Sequence, residues 1–311
     1  MSRAKWAQSP IEDESSANSV DEALYLLARR YGRTILLLDR FGADPLAEAI
    51  AAVDGPAPAS LALDDRLFVE DPQSAPLLVE LQLSVPSHQS LLRRTIHLAL
   101  DQASRKSGPH PICAWIFSKA SLSRLQSSLR IRLDARYPDQ SVYFRYFDPR
   151  VMPHLARIMP TANDACSPHN SSFCDLLGPV ESWCQIDSSG KLLCHQNPAP
   201  GKSNHLIRLH FDETMVAALQ RIELVNLTLQ HLAVHQYACG SPPDAMVDGH
   251  LLQALEFGVK EGDDQVSYAW RATKYSSAFT HWDGLRDLIQ EASSIGVPLD
   301  PFLAERMPEF I

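Results

Sequence analysis

Apolar positions change period several times along the chain, and each change predicts an element. Ser19 and Glu22 have capping-box spacing, and Ala23, Leu24, Leu26 and Leu27 continue them into a short helix that stops near Gly32. Thr34 to Asp39 is a compact apolar run bounded by turn residues, the pattern of a strand buried on both faces. Asp44 and Pro45 then supply an N-cap and first-turn pair for a helix through Val53. Arg66 to Glu70, Leu77 to Leu83, Ile112 to Phe117 and Val142 to Phe147 read as further strands, and Leu192 to His195 as a short one between turn clusters. Gln89 to Ser104 reads as an amphipathic helix carrying Leu91, Leu92, Ile96 and Leu100, and Ser121 to Leu129 as another.

Beyond His210 the period is helical to the end. Met215, Leu219, Ile222, Val225, Leu229 and Leu232 recur at spacings of three and four and paint one long stripe, which reads mainly as the core of a helical lobe. Gly240-Ser241-Pro242-Pro243 breaks it, Leu251, Leu255 and Val259 begin a second helix, a stretch follows from Gln265, and a last helix crosses Leu285 to Ala292. The expected fold class is α+β. A flexible polar tail covers 1–18, a mixed α/β lobe with about five strands covers 19–186, a turn-rich linker covers 187–204, and an all-helical lobe covers 205–311.

Composition narrows the function. With 311 residues the chain suits two ordinary domains, and 37 acidic against 28 basic residues leave a net charge of −9, the wrong sign for neutralising phosphates. General nucleic-acid binding is therefore not expected. The longest apolar run, Ile112 to Phe117, is far short of the roughly 20 residues that span a bilayer, so no membrane segment is expected. The polar N-terminus lacks the apolar core of an export signal, which predicts a cytoplasmic protein whose six cysteines are reduced thiols.

Two constellations could carry chemistry. His231, His235 and Cys239 at i, i+4 and i+8 share a helix face, but the three span about 12 Å at 1.5 Å per residue, so at most two could hold one zinc ion. Cys194 beside His195 has the composition of a thiol nucleophile and its base, yet neighbours on a strand point to opposite faces. Cys166, Cys174, Cys184 and Cys194 lie eight or ten residues apart with no C-x-x-C pair, which disfavours a zinc ribbon. Phosphate loops, dinucleotide fingerprints, zinc-protease and nucleophile-elbow motifs are all missing from the sequence. The expectation is therefore no cofactor, no metal and no catalytic residue. A cysteine- and histidine-dependent enzyme or metal protein stands as the alternative.

The segment Tyr143 to Met152 reads as strand, cap and helix, with Asp148 as the cap and Pro149 in the first turn. Arg145 and Arg150 flank that carboxylate, either as an internal ion-pair network or as a fork for a partner's carboxylate. Phe144-Arg145-Tyr146-Phe147-Asp148-Pro149-Arg150-Val151, followed by Leu176-Leu177-Gly178-Pro179-Val180 and Trp183, resembles the signature of the effector-loading adaptor (chaperone) family of the bacterial type VI secretion system. Ala114-Trp115-Ile116-Phe117, Ser118, Ala120, Ser121 and Leu122 extend the resemblance upstream, as do Ile35-Leu36-Leu37-Leu38-Asp39, so that it covers about residues 33–186. Asp39-Arg40-Phe41-Gly42 departs from the Asp-Gly turn of that pattern.

The resemblance implies a non-enzymatic cytoplasmic protein that binds a cognate secreted effector and the VgrG spike. It singles out Arg145, Phe147, Asp148, Pro149, Arg150 and Trp183 as the partner-binding or structural motif. It also implies that the mixed lobe carries what adaptors share, while the helical lobe selects the cargo.

Overall fold

The computed structural model describes residues 20–41, 44–104, 110–137, 140–160, 171–201, 208–235 and 244–310. The expected tail over 1–18, the turn at 240–243, and Cys166 and Cys239 lie outside the described residues. The chain divides into two compact units, Met1–Met215 and Val216–Ile311.

The first unit is built on an antiparallel sheet with helices on both faces. In chain order it runs α1 (Val20–Tyr31), β1 (Arg33–Leu38), α2 (Ala47–Ala51), β2 (Ala59–Ala62), β3 (Leu77–Gln82), α3 (Pro86–Ser104), β4 (Ile112–Phe117), α4 (Leu122–Ile131), β5 (Asp134–Tyr137), β6 (Gln140–Tyr143), α5 (Met152–Ile158), α6 (Phe173–Leu177), β7 (Ser182–Ile186) and β8 (Leu192–Gln196). Six strands pair in the order β2-β3-β1-β4-β7-β8, and β5 and β6 form a separate hairpin. Every residue of β4 and β7 is buried, as are all of β1 but Arg33, because alternate residues meet helices on opposite sides. Leu36, Leu38, Trp115, Phe117, Cys184 and Ile186 pack with Leu24 and Leu27 of α1 and with Leu91, Leu92 and Ile96 of α3. Each such side chain contributes about 1.5–3 kcal/mol by leaving water. The indole of Trp115 donates to the Thr95 hydroxyl of α3 at 3.0 Å, which satisfies the polar atom that this packing buries.

Several expected boundaries move, each for a local reason. Arg66 to Glu70 is not a strand: Arg66–Phe68 is a single 3-10 turn, and the edge beside β3 is taken by β2. The strand expected over Val142–Phe147 ends at Tyr143. Tyr146 and Phe147 are both fully buried, which consecutive residues of a strand over one core face cannot achieve, so the chain turns at Phe144 and sends both rings inward. The helix expected over Asp44–Val53 shrinks to α2, with the Asp44 carboxylate accepting from the Leu46 N–H at 2.9 Å.

The expected linker at 187–204 is also corrected. Instead of separating two lobes it carries β8, which pairs with β7 along its whole length, and the bond from Asn197 Nδ2 to the Gly178 carbonyl, 2.9 Å. Farther on, the backbone of Leu209 and Phe211 bonds to Arg136 of β5. These contacts hold the chain in the first unit as far as Met215.

The second unit is helical, as expected. Most of α7 (Glu213–Val234) lies in it, followed by α8 (Asp244–Glu256), α9 (Gly262–Tyr275), α10 (Ser277–Thr280), α11 (Leu285–Ile295) and α12 (Leu299–Arg306). Along the stripe Met215, Ile222, Val225 and Leu232 are buried, whereas Leu219 and Leu229 are half-buried. Val225 packs with Val247, Leu251 and Ala269, and the larger core joins Tyr268, Phe279, Leu285, Ile289, Phe302 and Leu303. The Arg271 side chain is only 2% exposed, and its guanidinium donates to Asp300 at 2.7 Å and to the Phe310 carbonyl at 3.0 Å, tying α9 to α12 and to the last turn. Among the described residues no helix is long and apolar enough to cross a membrane.

One glycine of the adaptor-like signature is required by the fold. Gly178 closes α6 at φ +56°, and a Cβ there would stand 2.5 Å from the Arg132 guanidinium, which is buried and bonded to the Asp175 carbonyl at 2.8 Å. Gly178→Ala is therefore expected to lower stability by about 1–3 kcal/mol, measured by thermal or urea unfolding. An unchanged midpoint would remove the reason given for this residue.

Candidate functional site

The signature residues converge on one end of the sheet. β1 ends at Leu38, and a register shift against Ile112 turns Asp39 toward the start of β4, where its N–H donates to the Pro111 carbonyl at 2.9 Å. The turn after Phe144 delivers Arg145, Asp148 and Arg150 to the same place. Arg145 pairs with Asp39 at 2.5 Å and stands 3.8 Å from Asp148. Arg150 grips Asp148 with two parallel bonds, Nε to Oδ1 at 3.0 Å and Nη2 to Oδ2 at 2.7 Å, while its own N–H donates to Oδ1 at 2.9 Å.

Asp148 thus differs from the expected helix cap. α5 starts at Met152 without a side-chain cap, because both Asp148 oxygens are occupied by Arg150 in a turn of its own. The other half of the expectation, an anchor for the flanking arginines, describes what the carboxylate does. Burial would raise the Asp148 pKa, but the hydrogen bonds and charge of Arg150, with that of Arg145, outweigh it and hold the carboxyl below its ordinary value. The carboxylates are buried, with side chains 11% and 8% exposed at Asp39 and Asp148, whereas the arginines are 40% and 45% exposed. The cluster is an internal network that still shows guanidinium surface to solvent.

The remaining signature residues are structural. Phe147 is fully buried, with the Arg145 guanidinium 5.9 Å from its ring centroid. Trp183 is buried against Tyr146, its indole donating to Gln185 at 3.0 Å, and the Gln185 amide donates in turn to the carbonyl of buried Pro149 at 2.9 Å. That chain fixes the turn to β7. Asp39 and Gln185 complete the site and were not among the candidates; a lone carboxylate closing an apolar strand was the signal for Asp39.

Apolar surface lies beside this network. The ring of Phe68 meets Tyr143 at 5.8 Å, edge to face, and Arg66 reaches across to Ser141 and Asp134 of the hairpin at 2.8 and 3.0 Å. These contacts gather Leu67, Val69, Val142 and Tyr143, all exposed, and Phe41 follows Asp39 at 68% exposure. Although the Tyr143 residue is exposed, partial burial of its phenol raises the pKa, and the charges of Arg145 and Asp39 act on it in opposite directions.

The alternative constellations separate. The Cys194 sulfur packs with Cys184 in the core under α1 and α3, while His195 stacks edge-on against Phe173 of α6 at 5.6 Å. The two side chains point apart, and burial holds the His195 pKa down at about 4. In the second unit the rings of His231 and His235 stack at 4.3 Å, and both lie against Trp270. His231 borders a groove of about 380 Å³ lined also by Leu227, Val234, Val266, Trp270, Asp263 and Asp300. Among the described residues no group of three metal-ligating side chains comes together.

Comparison with known families places the cluster in a shared region: residues 36–165, from β1 past α5, match a domain of unknown function (DUF4123). The match includes Asp39, Arg145, Asp148 and Arg150 and ends before Gly178 and Trp183. The comparison with curated proteins and with solved structures finds no match.

Two outcomes are expected. Asp148→Asn should lower stability by about 1–3 kcal/mol at neutral pH, because charge-assisted bonds become neutral ones. Since the folded pKa is depressed, the wild-type advantage is complete above the unfolded value of about 3.9 and is lost as pH falls through the folded one. Urea unfolding at several pH values should show wild type and variant converging in acid. Elemental analysis of untagged protein should find well under one zinc per chain; a full equivalent lost in a His231→Ala, His235→Ala double variant would restore the metal reading.

Proposed function

We propose that the protein is a non-enzymatic adaptor of a type VI secretion system, a cytoplasmic chaperone that binds a cognate secreted effector and helps load it onto the VgrG spike. The resemblance of Arg145–Val151 and Leu176–Val180 to that family supports the reading, as does the match of residues 36–165 to a domain known in such adaptors. The single observation that carries it is the surface beside the buried carboxylates. Half-exposed guanidiniums are held in place by Asp39 and Asp148, and the exposed side chains of Phe41, Val142 and Tyr143 lie within a few residues of them in the chain. Exposed apolar side chains together with pre-positioned arginines are what a protein partner covers, with aromatic and arginine anchors supplying most of the binding energy. The function needs neither cofactor nor metal, and nucleic acid and membrane are not among the partners.

In this reading the helical unit contributes to cargo choice. Its groove offers apolar Leu227, Val234 and Val266 to an effector segment, bordered by Asp263 and Asp300.

Co-expression with a VgrG spike protein and a type VI effector from the same genome tests the proposal. Wild type should co-purify with both. Val69→Asp and Val142→Asp together should weaken capture of a partner by about tenfold or more while leaving the melting temperature unchanged, because both residues are exposed. Wild type that captures neither protein would overturn the adaptor reading.

A further inference from the structure

β7 and β8 place two cysteines directly opposite each other. Cys184 and Cys194 are register partners in the antiparallel pair, and their sulfurs are 2.7 Å apart. Directly opposed residues of antiparallel strands have Cα atoms about 4.5–5.5 Å apart, inside the window of about 4.4–6.8 Å that a disulfide spans. Bond formation here asks for side-chain adjustment and no movement of the strands. The two sulfurs also differ in access. Cys184 is fully buried and Cys194 is half-buried on β8, the last strand of the sheet. Ser182 Oγ lies 3.4 Å from the Cys184 sulfur and accepts from the Gln196 amide of β8 at 3.1 Å, so the same two strands supply the polar surroundings of the inner thiol.

We propose that Cys184 and Cys194 are a redox-active dithiol that closes to an intramolecular disulfide by exchange with a small-molecule disulfide. In the first step the Cys194 thiolate attacks one sulfur of the small disulfide RSSR, forming a mixed disulfide and releasing one thiolate RS⁻. In the second, Cys184 loses its proton and attacks the Cys194 sulfur. The S–S bond between Cys194 and the RS group breaks, and the second RS⁻ leaves with the proton. The sum is two protein thiols and one RSSR giving one protein disulfide and two RSH, with the small disulfide as oxidant. Burial, reinforced by the neighbouring Cys194, raises the pKa of Cys184, so the second step is the slower one and quickens with rising pH. Closure would fasten the last strand of the sheet to its neighbour covalently.

The test is oxidised glutathione added to the full-length native protein, followed by denaturation, alkylation and peptide mapping. Wild type should lose two alkylatable thiols and yield one cross-linked peptide pair containing residues 184 and 194. Cys184→Ala should stop at a stable glutathione adduct on Cys194, an adduct that wild type goes on to convert into the cross-link. Cys194→Ala should take no glutathione at Cys184, which solvent does not reach. Wild type that leaves the two peptides unlinked overturns the proposal, as does a folded Cys184→Ala that gathers no adduct on Cys194. Adducts spreading to buried Cys113 and Cys174 would mark an unfolded variant, and the wild-type map then decides alone. None of these readouts depends on a partner, so the dithiol and the adaptor reading fail separately.

Discussion

A strand whose two faces are both covered by helices has no place for a charge except at its ends. β1, β4 and β7 meet that condition, and the ionic chemistry of the first unit is arranged accordingly. Asp39 comes immediately after β1, His110 and Pro111 come just before β4, and Gln185 lies near the end of β7. The Arg145–Arg150 turn closes over this polar end. It brings cations to the two carboxylates and hands a backbone carbonyl to the Gln185 amide. Without the doubly buried sheet there would be no reason for these groups to meet.

Arginine plays two distinct parts in the molecule. Arg132 and Arg271 are sunk in the two units as struts, their guanidiniums fully engaged with carbonyls, hydroxyls and, at Arg271, a carboxylate. Their planar forks can satisfy several acceptors at once, which a lysine at the same place could not. Arg145 and Arg150 pair with buried carboxylates while their side chains remain 40% and 45% exposed. The buried carboxylates therefore do more than balance charge: they fix the direction of two partly exposed cations.

The same geometry separates buried from partly exposed residues within one signature. Phe147, Pro149, Gly178 and Trp183 are recognisable because the fold requires them at buried or positive-φ positions. Arg145 and Arg150 differ in that their side chains remain partly exposed. A motif read as one unit is in fact a buried core with a more exposed rim.

The sequence by itself determined most of the elements and the nature of the chain. Five of the eight strands described (β1, β3, β4, β6 and β8) and the longer helices are legible as changes of apolar period, because burial of one or both faces leaves a repeat of two or 3.6. The adaptor-like segment around Asp148 was legible as well, and so was the divergence of Cys194 and His195, which follows from the pleat alone. Only the tertiary structure decided where the Tyr143–Phe147 strand must stop, since two consecutive buried rings need a turn that no local preference announces. It also paired Arg145 with Asp39, 106 residues away, and Cys184 with Cys194 across β7 and β8. The first pairing joins residues far apart in the chain, which no period or spacing encodes. The second, although its cysteines are only ten residues apart, appears only when the register of the β7–β8 hairpin sets one against the other.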